Sequence, residues 1–306
     1  MKANISLLGS LAVAGLALVG CQKPAEKTAV TTGSTAASTT VTTSTETSSS
    51  MAGKTIRIAT EGTYKPFSIT KADGSLTGFD VDFMQALCAQ MKANCEIKPQ
   101  DWDGLLPGLM AKKYDVVIDA MSITPERQAQ VDFTDPYFTN TLVFLTKQGS
   151  PINPDDPAQI DSHTVAAQRS TLSTQWMEKN HPKAKLNLYE GLDNAFMDLA
   201  AGRSDMMISD KAPAAYWLTT PEGKGFEIKG KEIDVNDKMG IIVRKGDPLR
   251  LEFNKAIATL KSNGTYDKIY NQYFGNATTT TAAASSVAVT VSSTTTTTTT
   301  VASSSK

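Results

Sequence analysis

The run Tyr114-Asp115-Val116-Val117-Ile118 passes directly into Asp119-Ala120-Met121-Ser122-Ile123-Thr124-Pro125-Glu126-Arg127. No other stretch narrows the possible fold as much. The first part is largely apolar and β-branched, as a buried strand should be. Pro125 suits the first turn of a helix, and Thr124 suits its N-cap. Strand, polar loop and helix start therefore follow one another. In an open α/β sheet such a loop lies at the carboxyl edge of the strands, where small ligands bind. Arg127 offers a fork of donors suited to a carboxylate, Ser122 and the loop amides can assist, and Asp119 brings the opposite charge to the same edge. A carboxylate clamp beside an acceptor for an amine points to an amino acid. The other reading is a surface arginine paired with Glu126 or Asp132.

The same rhythm runs on both sides of this stretch. Thr55 to Thr60 alternates as a first strand, with Glu61 to Phe67 as the loop at its end. Asp73-Gly74 marks a turn. A helix follows through about Met91, with Phe83, Met84, Leu87 and Met91 on its core side. Glu96 to Lys98 is a short strand, Trp102 sits in the next loop, and Leu105, Leu106, Leu109 and Met110 form a helix face. This βαβαβ order implies a parallel sheet with right-handed crossovers. Leu142 to Leu145 is a further strand. Gly149-Ser150-Pro151 and residues 153–157 then break structure. The pattern repeats with a strand at Thr164 to Ala167, a loop at Gln168 to Thr171 and a helix through Lys179. A strand at Leu186 to Tyr189, a helix from Asn194 to Ala201 and a strand ending at Ser209-Asp210 follow. Lys238 to Val243 and two final helices separated by Asn263-Gly264 complete the chain's folded part. The expected fold is α/β with two lobes, each an open, mostly parallel sheet flanked by helices, and a ligand cleft between them.

The ends have a different character. Lys2 opens a short polar region, and Ile5 to Val19 is an apolar stretch too short to span a bilayer comfortably. Leu18-Val19-Gly20-Cys21 resembles a bacterial lipobox, which would make residues 1–20 a signal peptide and Cys21 the site of lipidation; an ordinary secretory signal with an incidental cysteine is the alternative. Acyl chains would anchor the protein stably to a membrane. Gln22 after the cysteine permits the outer membrane under the sorting rules that such lipoproteins resemble. Residues 21–53 are rich in Thr and Ser and poor in large apolar side chains, and read as a disordered tether. Residues 276–306 read as a similar Thr-rich disordered tail.

The net charge of −1 offers no basic footprint for nucleic acid. His163 and His181 are the only histidines and lack partner spacing for a metal, so neither metal nor cofactor is expected. Cys88 and Cys95 would lie about 10.5 Å apart along one continuous helix. A disulfide needs Cα atoms within about 7 Å, so the helix must end between them, with Asn94 a fair exit. An oxidising compartment favours the bond over two free thiols.

Taken together, Thr60-Glu61-Gly62-Thr63-Tyr64-Lys65-Pro66-Phe67, Gly78-Phe79-Asp80-Val81-Asp82, the cysteine spacing and Ser122 to Arg127 carry a resemblance, joined by Ala201 to Asp205 and Asn263 to Lys268. In order and spacing they resemble the extracytoplasmic solute-binding proteins, family 3, of ABC importers, and most of all the lysine–arginine–ornithine and histidine binders. The resemblance covers residues 54–275. It implies the two-lobed periplasmic-binding-protein fold of type II, with lobe 1 at 54–141 and 240–275 and lobe 2 at 142–239. It further implies a monomer that delivers an amino acid to permease subunits. Arg127 and the amides near Ser170 and Thr171 would hold the ligand carboxylate, Asp210 its α-ammonium. Tyr64 and Trp102 would stack on its side chain, and Glu61 would face a distal positive group. Asp119 and Ala120 stand where close relatives often have two small hydroxyl residues. Arg169 and Leu172 flank Ser170-Thr171 where relatives often have Gly and a polar residue.

Charge counting orders the ligands. Glu61, Asp119 and Asp210 against Arg127 leave the cleft with excess negative charge, which a neutral ligand would leave unpaired at a cost. Lysine, arginine and ornithine therefore come first, and histidine next. Two other classes compete. Cyclohexadienyl or arogenate dehydratase-like enzymes resemble the same superfamily and would need a protonated acid in the cleft, but their anionic substrate needs more positive charge than Arg127 and Arg169 supply. A sensor ectodomain would need a transmembrane segment and a signalling domain, for which the sequence offers no candidate.

Overall fold

The computed structural model describes residues 51–275. The expected signal peptide, Cys21, most of the tether and the Thr-rich tail lie outside the described residues.

The chain opens with β1 (Thr55–Thr60), and a hairpin of β2 (Ile69–Thr70) and β3 (Leu76–Thr77) follows. Next come α1 (Phe79–Met91), β4 (Asn94–Pro99), α2 (Leu105–Met110), β5 (Val116–Val117), α3 (Pro125–Gln130) and β6 (Val131–Phe133). Then β7 (Phe138–Lys147) leads to α4 (Pro157–Ser162), β8 (Thr164–Gln168), α5 (Leu172–Asn180), β9 (Lys185–Tyr189), α6 (Leu192–Ala200), β10 (Met206–Asp210) and α7 (Lys211–Trp217). The long β11 (Phe226–Met239), β12 (Ile242–Arg244), α8 (Leu249–Ser262) and α9 (Thr265–Phe274) end it.

Two five-stranded sheets result, β4-β1-β5-β12-β6 and β11-β7-β10-β8-β9. In the first, β4, β1 and β5 are parallel, and β12 runs antiparallel to both β5 and β6. In the second, β9, β8 and β10 are parallel, and β7 and β11 add antiparallel strands at one edge. Each sheet is covered on both faces. Ile56, Ile58 and Val243 face α1 and α8, while Ala59, Val117 and Ile242 face Leu105 and Leu109 of α2. In the second sheet Leu145 and Met207 face α6, while Phe144, Val165 and Ile208 face Met177 of α5. This alternation is the period-two consequence of the strand pleat. The boundaries expected at 142 and 240 fall inside β7 and between β11 and β12, and they remain our proposal for where the lobes divide.

Local chemistry explains the departures from expectation. The helix carrying Cys88 ends at Lys92, in the left-handed region with φ of 54°, not at Asn94. The Cys88–Cys95 bridge then joins α1 to β4 with Cα atoms 6.2 Å apart. Met110, expected on the core face of α2, is 53% exposed, because that helix has too few turns to bury every apolar position. The strand β11 had no sequence signal: Lys231, Glu232, Asp234 and Asn236 give it a polar character fit for a half-exposed edge. Gly62 and Gly78 are required where they stand. Both have positive φ, and a Cβ would lie 2.4 Å from Thr70 Oγ1 at Gly62 and 2.2 Å from the Phe67 carbonyl at Gly78.

Candidate functional site

The carboxyl ends of the parallel strands of both sheets meet at one place. From the first sheet come Glu61 and Tyr64 after β1, Trp102 after β4, and Asp119, Ala120 and Ser122 after β5. From the second come Gln168 at the end of β8, Thr171 after it, and Asp210 at the end of β10. A narrow cavity of about 20 Å³ lies between them, lined by Tyr64, Trp102, Asp119, Ala120, Ser122, Arg127, Gln168, Thr171, Leu172 and Asp210. Among these lining residues Arg127 is the only cation. Larger grooves exist at the surface, one of them along Leu192, Phe196 and Trp217, but neither that one nor the groove beside Met51 gathers buried charge.

Arg127 sits in the first turn of α3. Thr124 caps that helix, its hydroxyl accepting from the Arg127 amide at 3.3 Å, and Pro125 follows in the first turn. Arg127 is 8% exposed. Its guanidinium donates from Nη1 to the Ser122 carbonyl and from Nη2 to the Ser170 carbonyl, both at 2.9 Å. Its carbon lies 5.4 Å from the Trp102 ring centre, a cation–π contact. Burial lowers its pKa to about 10, so it stays charged at neutral pH. A guanidinium has five N–H donors, so three remain for a ligand.

Asp119 is 1% exposed. Its Oδ1 accepts from Thr60 Oγ1 at 2.8 Å, the Glu61 amide at 2.9 Å and Ser68 Oγ at 3.0 Å. Its Oδ2 is buried and has no hydrogen-bond partner. Burial outweighs those three bonds and pushes its pKa up to about 6. Glu61 stands beside it, 7% exposed, and stands off the cavity wall. Thr63 Oγ1 donates to its Oε1 at 2.7 Å, and Gln168 Nε2 reaches across from the second sheet to its Oε2 at 3.3 Å. Burial first, and the Asp119 charge second, raise Glu61 to about 8.

Tyr64 donates its hydroxyl to Asp210 across the two sheets, and its ring stacks on Phe67 at 5.6 Å. Burial, then the charge of Asp237, lifts Asp210 to about 7. Trp102 donates from Nε1 to the Arg169 carbonyl at 3.1 Å. Ala120 contributes no free amide: its N–H donates to Asp80 Oδ2 at 2.6 Å and lies 3.1 Å from the Tyr137 hydroxyl. Thr171 caps α5, accepting from Thr174 N at 3.3 Å. Ser170 has φ of 61° and an exposed side chain; its carbonyl, not its amide, is what faces Arg127. The site gathers every sequence candidate except that Glu61 and Ser170 stand off the wall.

Sequence reasoning passed over Gln168, Asp80 and Asp237. Asp237 lies on β11, buried, and accepts from Asn140 at 3.0 Å. Asp80 is fully buried, and burial, then the Asp119 charge, raises it to about 8. The signal for Asp80 was present in the Gly78 to Asp82 motif. Asp237 had none, since its strand went unrecognised.

An L-arginine-binding protein of Pseudomonas aeruginosa is 36% identical over 231 residues, which is 73% of this chain and 89% of that protein. The solved structure of an ancestral arginine-binding protein bound to arginine is 36% identical and superposes with a TM-score of 0.69 over 73% of this chain and 99% of its own. An ancestral amino acid-binding protein, described as a precursor of cyclohexadienyl dehydratase, is 35% identical with a TM-score of 0.66 over 72% of this chain and 95% of its own. The chain also matches, over residues 56–276, the model of one family. It belongs to the bacterial extracellular solute-binding proteins, family 3.

Proposed function

We propose that this chain captures a cationic amino acid, namely lysine, arginine or ornithine ahead of histidine, and passes it to a permease. Membership of the family makes it an extracytoplasmic amino-acid-binding protein that serves an ABC importer, and a binding protein rather than an enzyme. The observation that carries the choice of ligand is the buried, unpartnered Oδ2 of Asp119, a residue that lines the cavity, with Glu61 beside it. An unpaired buried carboxylate is costly, and a ligand's distal cation is the group that would relieve it. In this reading Arg127 takes the ligand carboxylate with its remaining donors, and Asp210 takes the α-ammonium. Trp102 and Tyr64 bound the side chain, Ser122, Ala120 and Thr171 shape the rest, and the Ser170 carbonyl holds Arg127 in place. Lipidation at Cys21 would hold the protein at the membrane, and we propose that it acts as a monomer.

A ligand touching both lobes binds the closed arrangement better and so shifts the population toward it. Calorimetric titration of the full chain with the twenty amino acids and ornithine tests the reading. Binding of lysine, arginine or ornithine ahead of every neutral amino acid is expected. Preference for glutamine or another neutral ligand would overturn it. The upward-shifted Glu61 is the kind of group a dehydratase would need, yet Arg127 is the only cation on the cavity wall, too little for a dianionic substrate.

A further inference from the structure

Arg169 has no part in the ligand set above, yet it is where the two sheets grip one another most fully. It lies between β8 and α5, fixed to β9 by its amide, which donates to the Tyr189 carbonyl at 2.7 Å. Its side chain crosses to the first sheet's loop after β4. Nε donates to Asp103 Oδ2 at 2.7 Å, and Nη2 contacts the same carboxylate. Glu190, on its own side, stands 3.4 Å from Nη2 and holds the guanidinium in place.

The backbone completes the contact. The Arg169 carbonyl accepts from Trp102 Nε1, and the next carbonyl, of Ser170, accepts from Arg127 Nη2. Ser170 adopts the left-handed region, so the chain turns sharply between these two acceptors. Two successive carbonyls and one guanidinium therefore receive three neighbouring groups of the first sheet's edge: Trp102, Asp103 and Arg127. The other ion pair across the cleft, Lys65 to Asp193 at 2.9 Å, stands alone and half-exposed.

We infer that Arg169 is a latch: by gripping Asp103 it holds the Trp102 indole and the Arg127 guanidinium on the 169–170 carbonyls, and so slows the opening of the cleft. Arg169 is a positioning residue; it acts through Trp102 and Arg127, not on the ligand. Opening must break the ion pair and both hydrogen bonds together, since each joins one sheet's loops to the other's. The pair is half-exposed, so its effect is modest and falls with salt. Both nitrogens meet the same oxygen, Asp103 Oδ2, so the pair is no two-oxygen fork and stays in the ordinary range for exposed pairs.

The test is stopped-flow release of L-arginine from the full chain, and this arm rests on the ligand reading above. Arg169→Gln and Asp103→Asn should each speed release about fivefold, and the double variant should be no faster than either single one. Release from the unaltered protein should quicken between ~0.02 M and ~0.5 M salt, while release from the variants should hardly change. The exchanged pair Arg169→Asp with Asp103→Arg should recover part of the slow release. Lys65→Gln should move release less than Arg169→Gln. Unchanged release in both single variants, with unchanged salt response, would overturn the latch. If the unaltered protein does not bind L-arginine, the ligand reading fails, and the latch is judged by solution scattering without ligand. Arg169→Gln should then be more expanded than the unaltered chain at low salt, and identical scattering curves would overturn it.

Discussion

The two carboxyl edges that meet at the site are built alike and do different work. Both come from three parallel strands, β4, β1 and β5 on one side and β9, β8 and β10 on the other. On both, the loop at the end of a strand runs into a helix capped by a threonine, Thr124 for α3 and Thr171 for α5. On both, the strand that comes third in chain order ends near an acid, Asp119 or Asp210. The difference lies in where the partners come from. Asp119 takes all three of its hydrogen bonds from its own sheet, through Thr60, the Glu61 amide and Ser68. Asp210 takes one from Tyr64, across the cleft. The first edge is thus organised by itself and carries the charge that would choose the ligand. The second is organised in part by its contacts with the first.

The largest effect should come from removing the clamp. Arg127→Ala takes away the only cation lining the cavity and is expected to abolish amino-acid binding, a loss of about 2–5 kcal/mol for a buried charged partner. Near-normal affinity by calorimetry would take Arg127 out of the site.

Next come the acids of the first edge. Glu61→Gln keeps size and removes charge, and should weaken lysine or arginine by about 1.5–3 kcal/mol while leaving any glutamine binding unchanged or better. Asp119→Ser should act in the same direction and more weakly while Glu61 remains. If neither substitution separates cationic from neutral ligands, the two edges do not differ in the way described.

Proton linkage sharpens the same contrast. Glu61 is raised to about 8, Asp119 to about 6 and Asp210 to about 7. Their ordinary values lie near 4. Between these limits the folded protein binds more protons than the unfolded chain, so its own stability falls as pH rises from about 4.5 to 8. A cation favours the ionised acids, so arginine affinity should move the opposite way and strengthen over about pH 6 to 8. Thermal unfolding and titration across that range check both slopes. Parallel slopes would show that these acids do not face the ligand.

The smallest effect concerns the second edge alone. Thr171→Ala removes the cap of α5, and also the hydroxyl's bond to the Gln168 carbonyl at 2.8 Å. A stability loss of about 1 kcal/mol is expected in denaturant unfolding. Any arginine-over-glutamine preference should not change, because the proposed reading puts selectivity on the other edge.

What could be read from the sequence followed from local signals. β1 matched its alternation, the Thr124-Pro125 pair marked the start of α3, and the strand-and-helix rhythm gave two sheets with the site at their meeting edges. The disulfide followed from the compartment and the helix rise, although the helix exits through a left-handed cap at Lys92 and not at Asn94. What could not be read depended on distant partners. Nothing local to Asp119 shows that its Oδ1 is filled by Thr60 and Ser68 while its Oδ2 is left over. Nothing local to Ser170 shows that its carbonyl, turned by a positive φ, meets Arg127. Asp237 was hidden because a polar, half-exposed edge strand leaves no hydrophobic period.

The central claim is that the buried acids of the first edge select a distal positive charge. Arginine and citrulline differ almost only in that charge, so their affinities for the full chain, measured by calorimetry at pH 8 and low salt, isolate it. The account expects arginine to bind at least about tenfold more tightly, corresponding to about 1.4 kcal/mol. Equal affinities, or a preference for citrulline, would contradict it.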